Sequence, residues 1–187
     1  MRKVRREEIL DLAAYDRSRD EIRAAILEAK RPRRVHEGVL TFLFENAATI
    51  RYQIQEMVRA ERMTRDAEVR HELETYNELL GARGELGCSL LVEITDPAER
   101  DRKLREWLDL PRHLYVKLED GTRVRPTFDP RQIGTERLSS VQYLKFDLRG
   151  AMPVAVGSDL PGLTAETALS PEQRAALAAD LANDAAS

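Results

Sequence analysis

A single cysteine, Cys88, occurs in the 187 residues, so no internal disulfide forms and no cysteine-built zinc site exists. Histidine is nearly as scarce: His36, His71 and His113 are scattered, which argues against a His-rich metal centre. No apolar run approaches the ~18 residues of a membrane-spanning helix. The basic start, MRKVRREEIL, lacks the apolar stretch of a signal peptide, so a cytoplasmic location is expected. Neither sign of charge dominates. Lys+Arg 30 against Asp+Glu 33 leaves a net charge of −3, which gives no drive toward nucleic acid or an acidic membrane, and neither is expected as a partner. The chain also lacks G-x-G-x-x-G, a P-loop, G-x-S-x-G, H-E-x-x-H and C-x-x-C. Its nine glycines do not gather into a phosphate cradle, and nothing ties Cys88 or Ser89 to a histidine base. Cys88 in an apolar stretch reads as a buried structural residue.

Hydrophobic content of 42% with 34% charged residues describes a globular chain long enough to bury a core. The pattern reads as a single domain, 1–187, of the α+β class. Three or so packed helices occupy about 1–82. A small antiparallel sheet with one or two further helices follows in about 83–165, and a C-terminal helix covers about 171–183.

The longest segment with helical periodicity is Thr41 to Met63. At about 100° per residue, Leu43, Ala47, Ile50, Ile54, Met57 and Val58 form one apolar stripe. Glu45, Tyr52, Glu56, Arg59 and Met63 lie opposite. Two starts fit: Thr41 as the cap, or an extended 39–44 with Asn46 as the cap. Glu61 projects onto the apolar stripe, where a carboxylate must be paired, protonated or metal-bound, unless the helix has already left the core.

Upstream, 6–30 reads as helix, broken near Ala14, with an apolar strip of Ile22, Ala25, Ile26 and Ala29 beside Tyr15, Arg19, Arg23 and Lys30. Pro32 ends it. The cluster Lys30, Arg31, Arg33 and Arg34 reads as a solvated surface or as partners for carboxylates. Downstream, 67–80 is a helix capped by Thr64 or Asp66 and closed by Gly81. Its Glu68 and His71 form one E-x-x-H, where a di-iron bundle needs two. Strands are expected at 87–94, at 113–118 and 123–128 around the Asp120-Gly121 turn, at 140–149 and within 151–159. Asp96-Pro97-Ala98-Glu99 and Ser170-Pro171-Glu172-Gln173 are capping boxes that open two more helices. The last few residues are expected to fray.

One polar constellation stands out. The cationic face Tyr15, Arg19, Arg23, Lys30 and the anionic face Glu45, Tyr52, Glu56 share a pitch, with Gln53, Arg59 and Arg34 adjoining. If the two helices pack side by side, arginine forks meet glutamates. Such a network either fixes helix register or walls a pocket that holds an anionic group and places Tyr and Glu for proton transfer.

Tyr15 with Arg19 and Arg23, Lys30 with Arg33-Arg34-Val35, TIRYQIQEMVRAER at 49–62, Glu74, Tyr76-Asn77 and SSVQYLKFDL at 139–148 together resemble an uncharacterised bacterial family catalogued as a domain of unknown function. The likeness covers nearly the whole chain, and Tyr52 to Met57 is its most specific run. Members are typically encoded beside a rubrerythrin-like di-iron protein and an iron–sulfur oxidoreductase subunit. The resemblance therefore implies an accessory binding role in oxidative-stress handling with those two partners, and carries over no catalytic residue or cofactor. A small enzyme or cofactor carrier using the Tyr/Glu/Arg pocket is the alternative, and homo-oligomerisation is left open. Relatives often carry His-Pro where this chain has Leu160-Pro161, which argues against a metal or haem role here.

Overall fold

The computed structural model describes residues 1–182. The expected helical end at 183 and the expected fraying of the last residues lie outside them. The α+β class holds. The helices are α1 (Leu12–Lys30), α2 (Ala47–Ala60), α3 (Asp66–Asn77), α4 (Pro97–Glu106), the single turn α5 (Leu110–His113) and α6 (Pro171–Ala182). The strands are β1 (Arg34–Glu37), β2 (Leu40–Glu45), β3 (Glu85–Val92), β4 (Leu114–Leu118), β5 (Arg123–Val124), β6 (Val141–Asp147), β7 (Pro153–Leu160) and β8 (Leu163–Ala168). They form two four-stranded antiparallel sheets, ordered β1-β2-β3-β6 and β5-β4-β7-β8.

The central element is shorter than its periodicity suggests. Residues 40–45 are strand, and α2 starts at Ala47 with Asn46 as its cap, Oδ1 accepting from the Ala48 and Thr49 amides at 3.0 Å each. Thr41 does not cap a helix. The run Leu40-Thr41-Phe42-Leu43-Phe44 is a strand because alternation places Leu40, Phe42 and Phe44 in the core between the sheets. Two strands of the first sheet thus come from the helical first half, and 6–30 is a short 3-10 turn at Arg6–Glu8 followed by α1, with Asp11 as cap.

Register fixes the two faces of the first sheet. Phe42, Leu90, Cys88, Leu144 and Phe146 share the inner face, where Phe44 meets Phe146 at 6.5 Å between ring centroids. Against them pack Leu114, Val116, Val156 and Leu160 of the second sheet, Leu104 and Trp107 at the end of α4, and Leu177 of α6. The outer face carries Glu45, Gly87, Ser89 and Tyr143, and α2 and α3 lie over it. A second core forms there from Ile50, Ile54 and Val58 of α2, Val69 and Leu80 around α3, and Val4 and Ile9 of the N-terminal segment. Gly87 is required at that contact, because a Cβ there would sit 2.0 Å from the Leu79 carbonyl oxygen. Gly81 is not a left-handed helix cap: a Cβ on it would meet the Glu85 carbonyl at 2.5 Å, so close approach is what requires glycine.

The exposed edge of β6 is covered by the loop from Arg125 to Ser140. Thr127 exchanges both backbone hydrogen bonds with Lys145. Two residues along, the Gln132 side chain takes the place of a strand, donating from Nε2 to the Tyr143 carbonyl at 2.9 Å and accepting from the Tyr143 amide at 2.8 Å. Among the described residues no helix is long and apolar enough to cross a membrane.

Candidate functional site

The apolar stripe of α2 faces α3 and the N-terminus, which leaves its polar side for α1. The two helices run antiparallel, and polar side chains make most of the contact. At one end Tyr15, wholly buried, donates to Glu56 Oε1 at 2.5 Å. Arg19 grips the same carboxylate in a fork, Nε to Oε1 at 2.9 Å and Nη2 to Oε2 at 2.8 Å. The Arg19 guanidinium, assisted by the Tyr15 hydroxyl, outweighs burial and holds the Glu56 carboxyl down at about 2. Burial pushes the Tyr15 phenol well up, and the Glu56 charge adds to that. One turn away Arg59 pairs with Asp16 at 2.7 Å.

Further along, Arg23 Nη1 donates to the Tyr52 hydroxyl at 3.2 Å, and the Lys30 ammonium lies 5.4 Å from the Tyr52 ring centroid. Beside this contact line runs a groove of about 440 Å³. Its floor is Ile22, Ala25, Ile26 and Ala29 of α1 with Ala48 of α2, and Tyr52 and Arg51 stand at its wall. One end is closed by the segment before α1, because Gln55 clamps the Leu10 backbone, accepting from its amide at 2.9 Å and donating to its carbonyl at 3.1 Å. Among the described residues, Arg23, Lys30 and Arg51 have no carboxylate partner.

Of the side chains singled out from sequence, Tyr15, Arg19, Arg23, Lys30, Tyr52, Glu56 and Arg59 therefore meet between α1 and α2. Glu45, Gln53 and Arg34 do not join them. Glu45 is buried on the outer face of the first sheet, where Thr49 Oγ1 donates at 2.5 Å, Ser89 Oγ at 2.7 Å and Gln53 Nε2 at 3.0 Å. It lies in β2, so the side it takes is set by strand alternation and no arginine fork reaches it. Arg34 points outward from β1 and pairs with Glu93 at 3.0 Å. In the cationic cluster around Pro32 the arginines, but not Lys30, partner carboxylates: Arg33 forks onto Asp180 of α6 at 2.6 and 2.9 Å, and Asn46 reaches the same carboxylate at 3.2 Å.

Glu61 is the exposed C-cap of α2, so the helix has left the core by that point. The E-x-x-H pair lies on an exposed helix side, with Glu68 taken up by Arg65. Cys88 is buried, and burial followed by the Glu45 charge raises its thiol well above the ordinary range. Phe42 and Phe44 are core residues and present nothing to another protein.

A second polar cluster on the outer face of the other sheet gave no sequence signal. Tyr115 donates to Glu166 at 2.9 Å beneath Arg123, whose guanidinium carbon lies 4.3 Å from the ring centroid. Asp159 collects Arg125 and His113, and Arg125 first, then His113, brings its carboxyl down to about 2. Every charge there has a partner, and the cluster fastens β4, β5, β7 and β8 together.

No curated protein matches this chain. Among solved structures, it is similar to the 1.90 Å crystal structure of a novel protein of unknown function from Burkholderia pseudomallei K96243. The TM-score is 0.88 at 27% identity, covering 96% of this chain and 100% of that one. The profile of the protein of unknown function family DUF3501 spans residues 3–181, nearly the whole length over which the helices, the two sheets and the groove are built, and the chain belongs to that family.

Proposed function

We propose that the protein binds a small amphipathic anion in the groove between α1 and α2. One observation carries this reading: Arg51, a cation without a carboxylate partner among the described residues, lines a groove with an apolar floor beside Tyr52, while Glu8, which also lines it, is taken up by Arg2 at 2.7 Å. The volume falls in the range of small-molecule sites, about 300–1,000 Å³. Because the Tyr52 oxygen accepts from Arg23, its own hydrogen is directed elsewhere and can be donated to a ligand acceptor. Ile22, Ile26 and the three alanines take the hydrocarbon part, Arg51 and Tyr52 the charged head.

Turnover by the neighbouring Tyr15 and Glu56 has little support. A general acid or base works best with a pKa near the operating pH. Glu56 is held ionised far below that range and Tyr15 is pushed far above it, so the pair acts as a fastening.

Titration calorimetry with decanoate and 2-naphthoate tests the reading. Arg51→Ala and Tyr52→Phe should each weaken binding about tenfold, the loss of one charge-assisted or neutral hydrogen bond. Absence of heat for both probes at millimolar concentration, or binding indifferent to both substitutions, refutes it. We propose the resemblance-derived setting as the wider role: an accessory protein beside a rubrerythrin-like protein and an iron–sulfur oxidoreductase subunit in oxidative-stress handling. Pull-down with those two purified proteins tests that setting independently of the ligand.

A further inference from the structure

Part of the outer face of the first sheet is left uncovered by the helices. Register puts Tyr143 and Lys145 of β6 on that face, opposite Ser89 and Gly87, yet Tyr143 is 45% exposed. A second groove, of about 540 Å³, lies there. Glu78 and Leu79, just past the end of α3, form one wall, and Phe128 in the loop from Arg125 to Ser140 stands in the other.

Most polar groups around this groove are already used. The Gln132 amide serves the Tyr143 backbone, Thr127 bonds the Lys145 backbone, and Asp129 accepts from the amide and side chain of Arg131. Three groups are not. Among the described residues, the Lys145 ammonium and the Glu78 carboxylate make no hydrogen bond and no ion pair, and the Tyr143 hydroxyl has no hydrogen-bond partner. Arg131, whose guanidinium senses Glu78, is committed to Asp129. On α3 itself the carboxylates behave otherwise: Asp66 takes Arg6 and Arg70, and Glu68 takes Arg65. Lys145 and Glu78 therefore line one groove with opposite charge and do not reach each other.

We propose that this groove binds a free α-amino acid with an aromatic side chain. The carboxylate lies on Lys145 and the Tyr143 hydroxyl, the ammonium lies on Glu78, and the ring packs against Leu79 and Phe128. A lone anion is repelled by Glu78 and a lone cation by Lys145, whereas a dipolar ligand complements both. The apolar part of the lining, with two aromatic rings, suits a third ring in offset or edge-to-face contact. The volume is of small-molecule size. Both charges stand in solvent at the rim, so salt weakens the complex, and dissociation near about 1 mM is expected for a ligand of about a dozen heavy atoms. This groove shares no lining residue with the one between α1 and α2, so the two readings stand or fall separately.

Titration of the isotope-labelled full chain with L-phenylalanine at low salt, followed by amide shifts, tests the assignment. Two analogues with one charge each serve as probes: hydrocinnamate lacks the ammonium and phenethylamine lacks the carboxylate. L-Phenylalanine should shift the amides around Leu79, Phe128 and Tyr143. Glu78→Gln should weaken L-phenylalanine and phenethylamine about fivefold, the worth of one partly screened ion pair, and leave hydrocinnamate no weaker. Lys145→Met should weaken L-phenylalanine and hydrocinnamate by a similar factor and leave phenethylamine no weaker. Absence of shifts up to about 20 mM, far above the expected dissociation constant, overturns the proposal. So do shifts confined to other surfaces, or variants that act on the three probes alike.

Discussion

Glu56 is the fastening between α1 and the body of the protein, and its removal should be costly. Glu56→Gln keeps oxygen and nitrogen near the Arg19 fork and the Tyr15 hydroxyl but removes the charge. A hydrogen bond to a charged group is worth about 1.5–3 kcal/mol against about 0.5–1.5 for a neutral one, so this change should cost about 1–2 kcal/mol. Glu56→Ala also strands the hydroxyl of a wholly buried tyrosine, adding about 1–3 kcal/mol for an unsatisfied buried donor. Acid supplies an independent handle. Lowering the Glu56 carboxyl from an ordinary 4.5 to about 2 sets a ceiling of ~3 kcal/mol on the linked stability. The side chain is 27% exposed, so solvent screening brings the expected value to about 1–2 kcal/mol. The same contact raises Arg19, and the pair is counted once. Because the folded value is depressed, this stability is fully present above pH 4.5 and drains away as pH falls through about 2. Urea unfolding of wild type and Glu56→Gln at pH 7, 4 and 2.5 should show a gap that narrows on acidification. A Glu56→Ala protein within ~0.5 kcal/mol of wild type, the scatter of a neutral surface change, would refute the reasoning. A Glu56→Gln gap of constant size across that pH series would refute it as well.

Gly87→Ala forces a Cβ, fixed in place by the β3 backbone, into the backbone carbonyl of Leu79, and should cost more than ~3 kcal/mol or prevent folding, read by urea melts and soluble yield. Arg33→Met leaves Asp180, 5% exposed at its side chain, without its cation; a loss of about 3–5 kcal/mol is expected by denaturation, whereas replacing both residues by apolar ones should recover much of it. Cys88 should not react with a disulfide reagent in the native protein at pH 8 and should react fully in urea, because burial both hides the thiol and keeps it protonated; fast native labelling would contradict the described core.

What could be read from sequence follows the range of the interaction that decides it. Of the two capping boxes one formed as written, Ser170 and Gln173 satisfying each other's amides at 3.1 and 2.8 Å, while the other is a simple cap in which Asp96 accepts from the Glu99 amide at 2.7 Å. The Asp120-Gly121 turn joins β4 and β5, with Gly121 at φ +86°. The stripe Ile50, Ile54, Val58 was legible because a helix buries one face whatever covers it. The start of α2 was not, since a run of five mostly apolar residues suits a buried strand as well as a helix, and pairing with β3 decides it. β8, Leu163–Ala168, went unseen because Ala165, Glu166 and Ala168 disfavour a strand and outweigh its two threonines, and the neighbouring β7 imposes the conformation. The site divided in the same way. Tyr15, Arg19, Tyr52 and Glu56 sit at helical spacing on two elements that pack, so their meeting was foreseeable. Glu45 failed because it was assigned a helical azimuth while lying on a strand. The Arg33 to Asp180 contact spans 147 positions, and the groove depends on how far α1 stands off, which no local pattern records.

The Gln132 amide on the edge of β6 bears on how the molecule behaves in a crowd. A strand with open amides and carbonyls is a template for any extended chain, and edge-to-edge stacking is the usual route from a folded sheet to an aggregate. Here a backbone bridge at Thr127 and one side-chain amide at Tyr143 occupy those groups without extending the sheet, so nothing new is offered for the next strand to copy. Protection of this edge against strand addition thus falls to Thr127 and Gln132, and a screen for aggregation-prone variants is expected to include substitutions in the loop from Arg125 to Ser140.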